Sequence, residues 1–213
     1  MKKIFFAILF CLPLLSIKAQ WDFSAAMGLD MKYAPSYRDY INYAFAPAGN
    51  ELSSFSTAID FSGEVGYLVS PTFQTALEYD IQFDSYNTSV GVAGLYEISY
   101  VAHRPSILGY YIIGGEGYKF KFGGGVGYRY VSLDEKIINT TNYTASGIGF
   151  VAKAEGNTRL SDNLYALIGV SLRYDLPGEL SSGGQKIINP GNKENVNMNS
   201  LCVGIKLGIT YSL

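Results

Sequence analysis

His103 is the single histidine of the chain. With Glu97 and Ser99 it occupies alternating positions, so an acid, a hydroxyl and an imidazole share one face of an extended segment. Those are the residue types of acyl-transfer chemistry. Their spacing does not serve it. At about 3.3 Å per residue, Ser99 and His103 lie roughly 13 Å apart, far outside hydrogen-bond reach. Ser106 or a serine on a neighbouring strand is the remaining candidate, and nothing in the sequence selects one. The expectation is a structural histidine and a non-enzymatic protein. Gly123-Gly124-Gly125-Val126-Gly127 matches neither GxGxxG nor GxxxxGK and interrupts no strand pattern, so no phosphate loop is read there. Its inward glycines either leave room for long side chains opposite or let the wall bend. Cys11 and Cys202 are the only cysteines, and no metal-ligand cluster appears. No catalytic, cofactor-binding or metal-binding residue is assigned.

The remaining chemistry is ionic, and its meaning depends on the elements that carry it. The chain alternates with period 2 from residue 21 onward, the signature of half-buried strands. Trp21, Phe23, Ala25, Met27, Leu29, Met31 and Tyr33 fall on one face, against Asp22, Asp30 and Lys32 on the other. A second segment sets Thr57 to Val69 at odd positions against Asp60 and Glu64, and a third sets Phe73 to Phe83 against Glu78 and Asp80. The fourth is read with Tyr96, Ile98, Tyr100 and Ala102 outward and Glu97, Ser99 and His103 inward. The fifth sets Tyr118 to Tyr130 at even positions against Lys119, Lys121 and Arg129. The sixth sets Ile148, Phe150, Ala152 and Ala154 against Lys153 and Glu155, and the seventh Leu164 to Tyr174 against Arg173 and Asp175. The eighth sets Leu201 to Leu213 at odd positions against Lys206. None of the positions assigned to apolar faces is charged in a chain that is 16% charged overall. Lipid is the physical reason that suggests itself, since Lys or Arg on a lipid face costs about 2–4 kcal/mol at mid-bilayer. A soluble lipocalin-type barrel alternates in the same way, but Tyr concentrated near segment ends favours the membrane reading. Residues 107–113 are apolar on both faces after Pro105. They read as a Pro-kinked continuation of the fourth strand or as a packed periplasmic segment, since a ninth strand would be an odd number.

Composition agrees. A disordered chain would not be 15% aromatic, and a helical bundle would not carry 24 Gly and 18 Tyr. A formal charge of −2 with no basic run excludes nucleic acid as a partner. Lys2, Lys3, an apolar run over 4–15 and Ala19 before Gln20 read as a cleaved secretory signal peptide over 1–19. The mature domain is then 20–213, with 13 basic residues against 18 acids and Cys202 alone. Short turns at 70–72, 114–117 and 161–163 alternate with long loops at about 34–56, 84–94, 132–145 and 176–195, the habit of outer-membrane barrels.

The last residues, Lys206-Leu207-Gly208-Ile209-Thr210-Tyr211-Ser212-Leu213, resemble the C-terminal signal read by the barrel-assembly machinery, with Lys206, Gly208, Tyr211 and Leu213 as its matching positions. Leu213 stands where Phe is commonest. With the eight segments, the whole mature chain resembles the small eight-stranded outer-membrane barrels of the OmpX, OmpW and OmpA-barrel group. The resemblance implies an all-β, antiparallel up-and-down transmembrane barrel in a bacterial outer membrane. It also implies lipid around the barrel, the assembly machinery as a partner in biogenesis, and a monomer.

Eight strands enclose room for side chains or one small ligand. The inward list divides into an acidic wall of Asp22, Asp30, Asp60, Glu64, Glu78, Asp80 and Glu97 and a basic wall of Lys119, Lys121, Arg129, Lys153, Arg173 and Lys206. Charges this deep require partners, so a cross-lumen network that plugs the barrel is expected. Function then falls to the long loops, as a structural or surface-recognition protein with an extracellular ligand. The alternative is a narrow channel for small or hydrophobic solutes, as the OmpW resemblance implies. In the loops, Ser36 is read as the cap of a short helix with Tyr37, Tyr40 and Tyr43 along one side. Lys-Ile-Ile-Asn recurs at 136–139 and 186–189, offering paired exposed isoleucines.

Overall fold

The computed structural model describes residues 20–46, 49, 51–89 and 94–213. The signal peptide read over 1–19 lies outside the described residues. The elements in chain order are β1 (Trp21–Tyr33), α1 (Pro35–Ala44), β2 (Ser56–Ser70), β3 (Phe73–Ser89), β4 (Leu95–His103) and β5 (Ser106–Gly115). They continue with β6 (Tyr118–Lys136), β7 (Thr140–Arg159), β8 (Leu164–Leu176), β9 (Ser181–Ser182), β10 (Gln185–Lys186) and β11 (Ser200–Ser212).

The long strands pair antiparallel around the wall, with β4 and β5 both lying between β3 and β6, and β1 pairs with β11 from Asp22↔Ser212 to Tyr33↔Leu201. The sheet therefore closes on itself and leaves no edge around the wall. Pro105 does not bend the chain out of the wall. β4 meets β3 through Ile81↔His103 and β5 meets it through Glu78↔Ser106, in one unbroken register. On the other side β6 continues from His103↔Tyr130 to Ser106↔Gly127. β4 and β5 are one strand in which proline removes a single donor from the ladder, and the barrel has eight staves. Of the two paths open for residues 107–113, the structure takes the continuation of the fourth strand, with no register slip.

Side chains alternate as the sequence requires, and seven staves place their faces as read. The fourth is inverted. Tyr96, Ile98, Tyr100 and Ala102 point inward and are buried, whereas Glu97, Ser99 and His103 lie on the outer surface. The cause is a change of medium along the barrel. Through most of its height the outside is apolar and the inside charged. Beyond Phe83, Val101, Tyr130 and Ile148 the outside becomes Ser85, Asn87, Ser99, Ser132, Asp134 and Asn142. There the inside becomes Ile98, Tyr100, Val131, Leu133 and Ala145. The period stays at two while the polarity of its phases exchanges.

This upper section is a wall on one side only. β2 last meets β3 at Ile59↔Phe83, and β8 last meets β7 at Ile148↔Leu176. Beyond those levels β3, β4, β6 and β7 continue as a four-stranded sheet, joined to β9 at Thr144↔Ser181. Two segments read as long loops are therefore largely strand: 84–89 belongs to β3, and 132–145 is the β6–β7 hairpin turning over 137–139. Ser, Thr and Asn on an outer face look like loop composition, but here they cover a sheet whose other face is buried.

Candidate functional site: a charged lumen beneath an apolar stopper

The lumen holds one continuous chain of ion pairs. At the end with the short turns, Asp22 meets Lys119 at 3.3 Å and Lys121 at 3.2 Å, and it accepts from Gln74 Nε2 at 2.9 Å. Lys121 reaches Glu64 at 4.0 Å, and Glu64 meets Lys153 at 3.0 Å and accepts from the Tyr110 hydroxyl at 2.7 Å. Lys153 also binds Glu78 at 2.6 Å and Glu155 at 2.7 Å. Glu78 binds Arg173 at 2.6 Å, which lies 3.4 Å from Asp80. Asp80 is the hub: it also binds Arg104 at 2.5 Å and the Lys206 ammonium, and Lys206 reaches Asp60 at 2.5 Å. Arg104 joins Asp30 at 2.9 Å and Asp175 at 3.7 Å, and Asp175 accepts from Arg129.

Apart from Lys119, which is 21% exposed, these side chains are almost wholly buried, so their charges rely on one another rather than on water. The acids come chiefly from β1, β2 and β3, and the bases from β6, β7, β8 and β11, so pairs such as Lys153–Glu78 and Arg173–Glu78 tie distant walls together, while Lys153–Glu155 and Arg104–Asp80 lie within one strand or between neighbours. Small residues create the space. A Cβ on Gly28 would sit 2.8 Å from the Lys206 stem. A Cβ at Gly123, Gly125 or Gly127 would strike the backbone of the neighbouring stave and the Tyr110, Leu108 and Ser106 side chains, so these glycines make room for side chains of that stave and let the two strands approach closely. One void among the charges, bordered by Ser24, Ser62, Glu64, Lys153, Glu155 and Lys206, measures about 10 Å³. That is room for about one water molecule.

Above the charges the lumen turns apolar and is filled by chain. α1 folds into the mouth, with Tyr37, Tyr40 and Ile41 buried against Tyr96, Ile98, Tyr100 and Leu133. Leu180, Ile187, Val196 and Met198, from the segment between β8 and β11, close over the same cluster. Phe45 stacks on Tyr96 with ring centroids 3.7 Å apart. The hydroxyls of Tyr40 and Tyr96 both donate to Glu135 Oε1, at 2.6 and 2.9 Å. Burial, reinforced by that carboxylate, pushes the Tyr40 hydroxyl well above its ordinary range, so it stays a donor. Between the two zones, the Lys32 ammonium lies 3.9 Å from the centre of the Tyr100 ring.

No protein-family model matches the chain, and no curated protein matches it in sequence. Solved structures do match. Neisserial surface protein A aligns over 91% of this chain and 97% of its own, at 11% identity and a TM-score of 0.57. Ail, the attachment invasion locus protein of Yersinia pestis, solved with the heparin analogue sucrose octasulfate, aligns over 92% and 100%, at 10% identity and a TM-score of 0.56. A major outer membrane protein from Thermus thermophilus aligns over 91% and 99%, at 12% identity and a TM-score of 0.53. The fold is that of a small outer-membrane β-barrel. At these identities the likeness is one of architecture.

The apolar outer face of this barrel carries aromatic girdles at both ends. Trp21 and Tyr67, 5.0 Å apart, stand with Tyr118 and Tyr211 at one end, and Tyr33, Tyr130 and Tyr174 at the other. The structure places Asp22, Asp30, Asp60, Glu64, Glu78, Asp80, Lys119, Lys121, Arg129, Lys153, Arg173 and Lys206 in the lumen. Glu97, read as a lumen acid, is not among them. It lies on the outer surface, 2.8 Å from Lys136, because its stave is inverted. Glu97, Ser99 and His103 do share a face, but it is the outer one, and the partner of His103 is Tyr79, whose hydroxyl lies 2.8 Å from Nδ1. Among the C-terminal residues, Lys206 belongs to the network, Gly208 lies against Ala26 at the β1–β11 seam, and Tyr211 and Leu213 face outward.

Sequence reasoning missed Arg104, which binds three carboxylates. Residues 107–113 are apolar on both faces and give no parity to extend through Pro105, so no alternation in the sequence marked Arg104 as inward. In the stopper, Ser36 is not the helix cap. Pro35 opens α1 and supplies the preset φ, while the Ser36 hydroxyl accepts from the Asn197 backbone N–H at 3.0 Å. Tyr43 leaves the tyrosine stripe and is 66% exposed. The two Lys-Ile-Ile-Asn copies also diverge: Ile137, Ile138 and Ile188 are exposed and Ile187 is buried in the stopper.

Proposed function

We propose that the chain is a non-enzymatic outer-membrane protein, exported behind a signal peptide over residues 1–19, whose closed barrel carries a recognition surface outside the cell. The observation that carries this reading is the double closure of the lumen, by ion pairs below and by a folded apolar stopper above. A protein built so leaves its upper wall and loops as working surface. That surface offers Ser85, Asn87, Ser132 and Asn142 on a sheet, with Ile138 81% exposed at the hairpin tip and Tyr43 exposed in the loops. Three of its cations are engaged: Arg38 pairs with Asp39 at 2.5 Å, Lys136 with Glu97 at 2.8 Å and Lys186 with Glu179 at 2.5 Å. A polysulfated ligand like the one bound to Ail would find no free basic patch in these three. The partner this surface suits is neutral, met by hydrogen bonds and apolar knobs. Lys206, Gly208, Tyr211 and Leu213 serve as the assembly signal during biogenesis, and the barrel acts as a monomer.

Refolded protein in a planar bilayer is expected to insert and stay electrically silent, and discrete conductance steps would overturn the closed-lumen reading in favour of a channel. Surface placement is read separately with Ile138→Cys. Cys202 is buried, so the background is low, and an impermeant maleimide should label the variant on intact cells. Labelling only after the outer membrane is opened would overturn the orientation.

A further inference from the structure

The lipid face is not uniform. Beneath the upper girdle a hollow of about 570 Å³ opens between Val65, Leu77, Tyr79, Ile107, Val126 and Tyr128, floored by Gly63 and Pro105. Its volume lies within the roughly 300–1,000 Å³ span of ligand clefts. Gly63 makes it. A Cβ at Gly63 would meet nothing within 4 Å, so neither crowding nor a left-handed backbone calls for glycine there. What the missing side chain leaves is the indentation.

Directly above the hollow stands His103, between the rings of Tyr79 and Tyr130 at centroid distances of 6.1 and 6.0 Å, with the Tyr79 hydroxyl at its Nδ1. An imidazole facing outward at the girdle is costly unless it serves a polar contact. A second depression of about 520 Å³ lies above it. Its lower lining, Ile59, Phe83 and Val101, continues the apolar belt. Its upper lining is Ser85, Ser99, Ser132 and Asp134. Ile107 and Ser99 stand eight residues apart on one stave, so a track along that stave from mid-belt to the polar wall is about 26 Å long.

The geometry points to a site for a single bilayer glycolipid, with an acyl chain in the Gly63 hollow, its linkage at His103 and Tyr79, and a neutral sugar headgroup against the three serines. The occupant is a lipid because the track lies on the lipid face and is continuous with it. The headgroup is a sugar rather than a phosphate because the upper lining supplies hydroxyls and the Asp134 carboxylate and no cation, and the nearby Lys136 is held by Glu97.

This inference rests on the membrane reading above, and its test is independent of conductance and surface labelling. The protein is purified from membranes in nonionic detergent. It is then exposed to equal amounts of monogalactosyl diacylglycerol and phosphatidylglycerol with the same acyl chains, and bound lipid is counted by native mass spectrometry. The galactolipid should be retained about fivefold over the phospholipid, the worth of one or two hydrogen bonds. Gly63→Leu, which projects into open space and leaves the wall intact, should lower retention of the galactolipid about tenfold. His103→Phe should lower retention of both lipids, whose linkage is the same, whereas Ser85→Ala combined with Ser99→Ala should erase most of the preference while keeping the hollow. Equal retention of the two lipids, preference for the phospholipid, or retention unchanged by Gly63→Leu would each overturn the site. Such a result would leave a silent, surface-exposed barrel standing, and a conducting barrel would leave the lipid site standing.

Discussion

Asp80→Asn is expected to cost the folded barrel about 3–5 kcal/mol, the usual penalty for removing one partner of a buried ion pair. Asp80 is fully buried and its carboxylate touches Arg104, Arg173 and Lys206. Each of those cations keeps another acid, namely Asp30, Glu78 and Asp60 respectively. The network would not lose all its pairs, but three buried cations would lose the carboxylate they share, in a space with almost no water. Urea unfolding in lipid vesicles, scored by the mobility shift of unheated samples, reads the cost. Glu97→Gln is the matched control. Its pair with Lys136 is solvent-exposed and should be worth less than about 1 kcal/mol. Adding Lys206→Met to Asp80→Asn should restore part of the loss, because one of the three cations left short of a carboxylate is removed with it. Equal costs for Asp80→Asn and Glu97→Gln would mean that the lumen is wet enough to screen its charges.

The lumen charges were legible because a charge cannot share a face with lipid. Wherever one face of a strand met the apolar belt, period 2 placed Asp22, Glu64, Lys121 or Arg173 on the other. The fourth stave escaped because it crosses two media. Its inward residues are Tyr96, Ile98 and Tyr100 above, Arg104 and Ser106 at the middle, and Leu108, Tyr110 and Ile112 below. Neither parity is purely apolar, so choosing the apolar set as outward chose wrongly for its upper half. Glu97 went to the wrong side, and Arg104 was lost at Pro105. The stopper was hidden for a different reason. The burial of Leu180, Val196 and Met198 depends on contact with α1, more than a hundred residues away in the chain. The tyrosine stripe of α1 showed that it packs on something, though not on what.

The two closures stand in series and share no residue, which separates their contributions experimentally. Ile41 lies at zero exposure in the centre of the stopper. Ile41→Asp would bury a carboxylate with no cation beside it, at a cost of several kcal/mol that the stopper escapes by leaving the mouth. The barrel below should survive. Its ladder closes from β1 through β11 without α1, and no ion pair of the network involves that helix. The expected outcome is rapid proteolysis within residues 34–55, an unchanged folded mobility shift, and continued electrical silence, because the charges still fill the lumen. Conductance should appear only when Ile41→Asp is combined with Asp80→Asn. Steps from Ile41→Asp alone would assign closure to the stopper and make the ion pairs a stabilising scaffold around a pore. Loss of the folded band would mean that the apolar cluster, rather than the ladder, holds the upper wall upright. Silence in the single variant and steps in the double would mean that either closure suffices, as expected of a barrel whose function lies in its surface rather than in passage.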